Sequence, residues 1–320
     1  MKRREAIKKV VDASLLIGAG TLSFPPLSCQ RKHEDKSGEK FSFAFFADVH
    51  LLRDNDRNSH IGFQRALDDV LPRGIDFILF GGDNIDAYHL QEVEAEVLYE
   101  RFKDEVGKRG LKAYYTIGNH DTYYTPVNRK ADPHSFALHQ KYFGALNHSF
   151  DYKGVHFIVL NSVNHHAYEE RFCVGEEQCA WLKQDLEQTG RQMPVVVSMH
   201  VPIQTLYHPV VDGKIDSIDM ITDFKQVWDM LDPYNVKIVL QGHEHLYEQL
   251  FVKDTQFLTG GAVSSGWWEA GDFYKTDKGY LLVHVDTNNN FTWEYIAYVH
   301  EKEGKERWEY TRGASQYNNA

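Results

Sequence analysis

Cysteine is scarce in this 320-residue chain: there are three, Cys29, Cys173 and Cys179. Two or three thiols without partner ligands do not make a structural zinc site. For Cys173 and Cys179 two readings stay open, a small disulfide-closed loop or a pair of unpaired thiols. Positive charge is also in short supply, with 35 Lys and Arg against 46 Asp and Glu and a net charge of −11. Such a balance repels polyanions, and no basic groove interleaved with aromatics is present, so no nucleic-acid track is expected. It does not argue against a small anionic ligand, because a local site can carry the opposite sign to the whole chain. No internal repeat or low-complexity tract occurs. No serine sits in a nucleophile elbow and no cysteine has a reactive context, so a covalent nucleophile is not in view.

The composition does supply a core. Apolar residues make up 42 % and aromatics 13 %, enough for a sizeable α/β domain and too much for a disordered chain. Seventeen histidines are many, but their number proves nothing and their positions decide.

The N-terminus reads as a targeting segment. Lys2, Arg3, Arg4, Lys8 and Lys9 precede an apolar run from Ala13 to Phe24, the order of an export signal, and that run is too short for a membrane span. Arg3-Arg4 resembles a twin-arginine signal with Ala6 in place of the usual aromatic. Pro26-Leu27-Ser28-Cys29 resembles a bacterial lipoprotein cleavage box in which Cys29 would be acylated. Residues 1–29 are therefore expected to be an export signal of lipoprotein type, and 30–40 a polar tether. Residues 41–300 are the expected catalytic domain, followed by a C-terminal extension over 301–320. The expected location is periplasmic or membrane-anchored, with contact to the membrane only through the lipid on Cys29.

Along the domain, β-rich apolar runs recur at 41–47, 76–80, 113–117, 155–160, 195–199 and 236–240. Between the first three lie helical patterns. Leu67, Val70 and Leu71 share one face; Val93, Val97, Leu98, Phe102 and Val106 form another stripe. A further helix is expected over 176–188, with Trp181, Leu182 and Leu186 inward. Strands alternating with helices predict an α/β fold. After His245 the texture becomes four strand-like runs, 247–252, 256–259, 280–285 and 291–298, expected to add to a second sheet as a meander.

Five of the runs lead straight into Asp, Asn or His. Ala47 is followed by Asp48-Val49-His50, and Phe80 by Gly81-Gly82-Asp83-Asn84-Ile85-Asp86. Ile117 is followed by Gly118-Asn119-His120-Asp121, Met199 by His200, and Gln241 by Gly242-His243-Glu244-His245. Ligands of open α/β sheets bind at the carboxyl ends of the strands, so five such ends converge on one crevice. Any single motif occurs by chance; five in order after strands do not.

These motifs resemble the signature of the calcineurin-like metallophosphoesterase superfamily, over roughly residues 41–298. The resemblance implies a four-layer α/β/β/α sandwich, two central mixed β-sheets flanked by helices. It implies two divalent or mixed-valence transition-metal ions (Fe, Mn, Zn or Co). Asp48, His50, Asp83 and His245 would hold one, and Asp83, Asn119, His200 and His243 the other, with Asp83 bridging. The reaction implied is hydrolysis of phosphate esters by in-line attack of a hydroxide between the metals. His120, beside Asn119, is cast as the general acid and Asp86 as the carboxylate that orients it. Asp121 is expected to support its loop by hydrogen bonding.

Asp-x-His, with no tyrosine after Asp83 at ligand spacing, argues against a tyrosinate–iron centre. It places the chain nearer the cyclic-nucleotide and glycerophosphodiester phosphodiesterases. A small phosphodiester is the expected substrate; a broad-specificity phosphomonoesterase and an inactive binding protein are the alternatives. Tyr123, Tyr124 and His208 follow ligand motifs and are candidate substrate contacts. So is Trp267, in a Gly/Ser loop ending Trp267-Trp268, where a packed aromatic edge is the rival reading. His134, His139, His148, His165 and His166 are expected at the surface.

Overall fold

The computed structural model describes residues 38–297, except 54–57, 124–132, 166–171, 212, 214–218, 266–267 and 269–274, together with 312–313. The export signal, the tether up to residue 37 and most of the C-terminal extension lie outside the described residues.

In chain order the strands are β1 (Phe41–Phe46), β2 (Phe77–Gly81), β3 (Ala113–Thr116), β4 (His148–Tyr152), β5 (Val155–Val159), β6 (Asn164–His165), β7 (Phe172–Cys173), β8 (Val195–Ser198), β9 (Val236–Gln241), β10 (Glu248–Val252), β11 (Thr255–Thr259), β12 (Gly279–Val285), β13 (Phe291–Ala297) and β14 (Arg312–Gly313). The helices are α1 (Ser59–Val70), α2 (Glu92–Lys108), α3 (Ala137–Phe143), α4 (Glu176–Thr189), α5 (Tyr207–Val211) and α6 (Phe224–Leu231). One six-stranded sheet runs β14-β13-β12-β1-β2-β3, the other β10-β11-β9-β8-β5-β4, and β6 pairs with β7. Both large sheets are mixed. β1, β2 and β3 are parallel, as are β5, β8, β9 and β11, while the remaining pairs are antiparallel.

Alternation along β1 explains the layering. Phe41, Phe43 and Phe45 enter the seam between the sheets with Phe77, Leu79, Phe157, Val196 and Leu240. Ala44 and Phe46 turn the other way, onto Phe63 and Leu67 of α1 and Leu98 and Phe102 of α2. The second sheet repeats this outside, where Ile158, Val197 and Val239 pack under Leu182 and Leu186 of α4 and Val227 and Leu231 of α6. Strands buried on both faces read as nearly continuous apolar runs, which is why their positions were legible. The four-layer sandwich is as expected.

Several expectations are corrected. The four runs after His245 do not form one meander on the second sheet. β10 and β11 join it, but β12 pairs antiparallel with β1, Phe41 opposite Val285, and β13 follows β12. β1 has β2 on one edge only, and β12 takes up the backbone groups of the other. The stripe on α2 is also shifted. Val93 and Val97 are 75 % and 48 % exposed, and Ala95, Leu98, Tyr99, Phe102 and Val106 face inward instead. On α4, Leu182 and Leu186 are buried while Trp181 is only partly so. Cys173 and Cys179 are free and buried, with burial pushing both thiols up to about 11. His139, expected outside, is fully buried, and burial lowers it to about 3.

Candidate dinuclear metal centre

The carboxyl ends of β1, β2 and β3 and those of β8 and β9 meet at one edge of the sandwich. Backbone bonds stitch the loops together: Asp48 N–H donates to Gly82 O at 3.1 Å, His50 N–H to Asp83 O at 2.8 Å, and Gly242 N–H to His200 O at 2.9 Å. The residues that turn into the crevice do so in strained backbone. Asp48, His50, Asp83, His243 and His245 all have φ between 46° and 74°, the left-handed region that non-glycine residues rarely occupy. Such conformations cost about 1–3 kcal/mol each and persist only where the surroundings enforce them. Two glycines make the close approach possible. A Cβ on Gly118 would lie 2.1 Å from the Asp83 nitrogen, and one on Gly82 would lie 2.5 Å from Nδ1 of His200.

All seven expected ligand positions come together. Nε2 of His50 lies 2.9 Å from Nε2 of His245 and 3.5 Å from Oδ2 of Asp83, and Nε2 of His245 is 3.5 Å from Oδ1 of Asp48. On the other side, Nε2 of His200 is 3.2 Å from Oδ2 of Asp83. Oδ1 of Asn119 is 3.1 Å from that nitrogen and 3.0 Å from Nδ1 of His243. Asp83 therefore stands between two donor groups, and Asp48 is fastened by the His243 N–H at 3.0 Å.

The histidine tautomers test whether this set fits metal ions. Nδ1 of His200 donates to the Gly81 carbonyl at 2.9 Å, and Nδ1 of His245 to the Ser265 carbonyl at 2.7 Å. A carbonyl only accepts, so each Nδ1 carries its proton and each ring turns its Nε2 toward the cluster, the orientation of a metal-ligating histidine. Burial lowers His50 well below its ordinary value and His245 to about 4, so both rings are neutral donors. At Asp83 burial is outweighed by His200 and His120, and the carboxyl is held well below its usual range. At Asp48 burial prevails and pushes it up to about 8. Burial would lower His200, but Asp83 outweighs it and raises that ring to about 9. By themselves these side chains balance charge with protons, and those protons are what bound cations displace. The residues fit a pair of metal ions.

His120 is held from two sides. Its backbone N–H donates to Oδ1 of Asp83 at 2.7 Å, and its Nδ1 lies 2.9 Å from Oδ1 of Asp86. Burial opposes its charge, but Asp83 and Asp86 outweigh it and raise its pKa above 6.5. Its ring meets that of His50 edge-on at 4.8 Å, so it borders the cluster while its side chain stays 24 % exposed.

Asp121 does what was expected of it. Fully buried, it accepts from the N–H groups of Asn84, Ile85 and Gly118 at 2.8–3.0 Å and so ties the second motif to the third.

The substrate candidates fare unevenly. Tyr123 is buried at 6 % exposure. His208 points its Nε2 to Oε2 of Glu244 at 3.1 Å. Trp267 and Tyr124 lie outside the described residues. Trp268 is the packed edge, 2 % exposed, with its indole N–H donating to the carbonyls of Val49 at 2.8 Å and His50 at 3.1 Å.

Several supports went unnoticed in the sequence. Ser162 Oγ accepts the N–H groups of His200 and Val201, and Tyr88, 45 % exposed, has its ring 5.6 Å from His120. Tyr88 follows Asp86 by two residues, a cue that was present; Ser162 carried none.

The profile of the calcineurin-like phosphoesterase family matches residues 41–247. The chain belongs to the calcineurin-like phosphoesterase family. The matched model describes phosphoesterases. A curated relative, purple acid phosphatase 23 of Arabidopsis thaliana, is 33 % identical over 107 residues. That match covers 33 % of this chain and 21 % of the relative, so the phosphoesterase spans about a fifth of that protein's length. Among solved structures, a dimetal phosphatase of Danio rerio superposes with a TM-score of 0.57 at 14 % identity, covering 79 % of this chain and 98 % of the other. GAP50, the anchor in the inner membrane complex of Plasmodium, gives 0.55 at 15 % identity, covering 84 % and 90 %. At such identities these two likenesses show the fold alone.

Proposed function

We propose that this phosphoesterase hydrolyses small-molecule phosphodiesters at a pair of divalent transition-metal ions of the Fe, Mn, Zn or Co type. In this reading Asp48, His50, Asp83 and His245 hold one ion, Asp83, Asn119, His200 and His243 the other, and Asp83 is shared. The observation that carries it is the placing of Asp83 Oδ2 3.5 Å from His50 Nε2 and 3.2 Å from His200 Nε2, between the two donor sets. The chemistry such a pair supplies when bound is a lowered pKa for the attacking water and neutralised charge on the phosphate oxygens. His120, kept protonated by Asp83 and Asp86, gives its Nε2 proton to the leaving oxygen. Asp86 holds Nδ1 and thereby fixes which nitrogen faces the leaving group.

The diester preference rests on sequence: His50 in Asp48-Val49-His50 and the absence of a tyrosine after Asp83 at ligand spacing. A second reading, a broad-specificity phosphomonoesterase, is favoured by the stretch shared with a purple acid phosphatase. Rates on bis(4-nitrophenyl) phosphate and on 4-nitrophenyl phosphate, measured after metal reconstitution, separate the two. A strong preference for the monoester would overturn the diester reading. A binding protein that has lost its chemistry is disfavoured because every ligand position, His120 and Asp86 are present.

The acidic balance of the chain supports a small phosphorylated substrate rather than a nucleic-acid track. Export, with a lipid anchor on Cys29, rests on the basic N-terminus, the apolar run and the box ending in Cys29. Cys29→Ser should move the protein from the membrane to the soluble fraction; unchanged membrane association would refute the anchor.

A further inference from the structure

A second donor cluster lies beside the motif that carries His243 and His245. His208, Asp219 and Glu244 each offer one ligand atom, and these atoms lie within 4.8 Å of one another. His208 Nε2 is 3.1 Å from Glu244 Oε2. Glu244 is only 5 % exposed, and its other oxygen, Oε1, is buried without a hydrogen-bond partner among the described residues. Two further buried oxygens in the same stretch are in that condition. One is Oγ1 of Thr205, three residues before His208. The other is Oε2 of Glu248, whose Oε1 accepts the N–H of Leu206 at 2.9 Å. Glu244 also has Asp219, Asp48 and Glu248 as charged neighbours.

A buried carboxylate oxygen without a donor is costly, and Glu244 Oε1, in a side chain already grouped with His208 and Asp219, is rarely left so. What would satisfy it is a cation. A lysine or arginine would serve, but none is bonded to Glu244 or Glu248 among the described residues. One imidazole with two carboxylates is a mixed N/O set suited to Mn²⁺ or Zn²⁺ rather than to calcium, which prefers oxygen alone.

We propose that His208, Asp219 and Glu244 bind a third divalent transition-metal ion, separate from the dinuclear pair. Glu244 sits between His243 and His245, so a cation fastened to it braces the loop that carries both ligands. None of the three side chains belongs to the set assigned to the pair.

The test is metal stoichiometry. The full protein is stripped with chelator, dialysed against Mn²⁺ or Zn²⁺, and analysed by plasma mass spectrometry. Wild type should take up about one equivalent beyond the pair, and His208→Gln and Asp219→Asn should each lose that equivalent while keeping the other two. Asp83→Asn, which disrupts the pair, should keep the additional ion, and His208→Gln in that background should remove it. Failure of the dinuclear reading is thereby distinguishable from failure of this one. Circular dichroism confirms that the conservative variants fold. Anomalous scattering at the manganese edge should place a peak among the three side chains. Equal uptake by wild type and both single variants would overturn the proposal, whatever the total.

Discussion

Nδ1 of His120 lies 2.9 Å from Oδ1 of Asp86, and this contact joins the third motif to the end of the second. The carboxylate favours the imidazolium, and with Asp83 it raises His120 above 6.5 against the effect of burial. A general acid works in its protonated form, so turnover should fall as pH rises through that raised value. Asp86→Asn removes part of the support, and the alkaline limb of the kcat profile should move to lower pH. An unmoved limb would show that His120 does not set it.

His120→Ala should keep both metal ions yet lose about 10²–10⁴-fold in turnover on diesters with alkyl leaving groups. With a 4-nitrophenolate leaving group, which needs no proton, the loss should be much smaller. Metal analysis alongside kinetics on the two substrate types checks both halves. Equal losses on both would mean that His120 positions rather than protonates.

Asp83→Asn and His243→Ala should each lower metal content and abolish most of the activity, as loss of a ligand from a two-ion site requires. Full metal content in the inactive Asp83 variant would point to some other role for this carboxylate.

Gly118→Ala places a methyl group 2.1 Å from the Asp83 nitrogen and 2.2 Å from its Oδ1. Relief requires moving the backbone that carries Asp83, at a cost of about 1–3 kcal/mol. Thermal denaturation should show the loss, and equilibrium dialysis should show weaker metal binding. A variant with wild-type affinity would mean that the loop relaxes without disturbing Asp83.

Far from the crevice, His156 is fully buried with Nδ1 2.6 Å from Asp151 and Nε2 2.8 Å from Asp185. Burial would lower its pKa, but the two carboxylates outweigh that and raise it. A histidine raised on folding stabilises fully below its unfolded value near 6.5, and the contribution fades as pH climbs through the folded value. Urea titrations should find His156→Gln less stable than wild type by about 3–5 kcal/mol at pH 6, with the gap narrowing toward pH 9. A gap independent of pH would assign the effect to packing alone.

The cluster was legible because each of its residues is local to a strand end: the run from Phe41 to Ala47 announces a strand, and Asp48 follows it at once. Sheet membership was not. Tyr280 to Val285 is apolar toward both faces, and such a strand carries no mark of which neighbour it will take. Val93 and Val97 misled because a valine exposed on a helix looks like one that packs. The grouping of His208, Asp219 and Glu244 could not be read either, since it depends on where the segment after β8 crosses the loop after β9.

The pairing of Phe41 with Val285 also bears on how the protein is made. On a ribosome, β1 emerges early but must wait for β12 before both its edges are bonded, and closing so long a loop is slow. The Asp48–His50 turn borrows further anchors from the late chain, through Ser264 and Trp268. Nascent chains halted before residue 285 should therefore be caught by chaperones and fail to capture metal, however complete their complement of ligands.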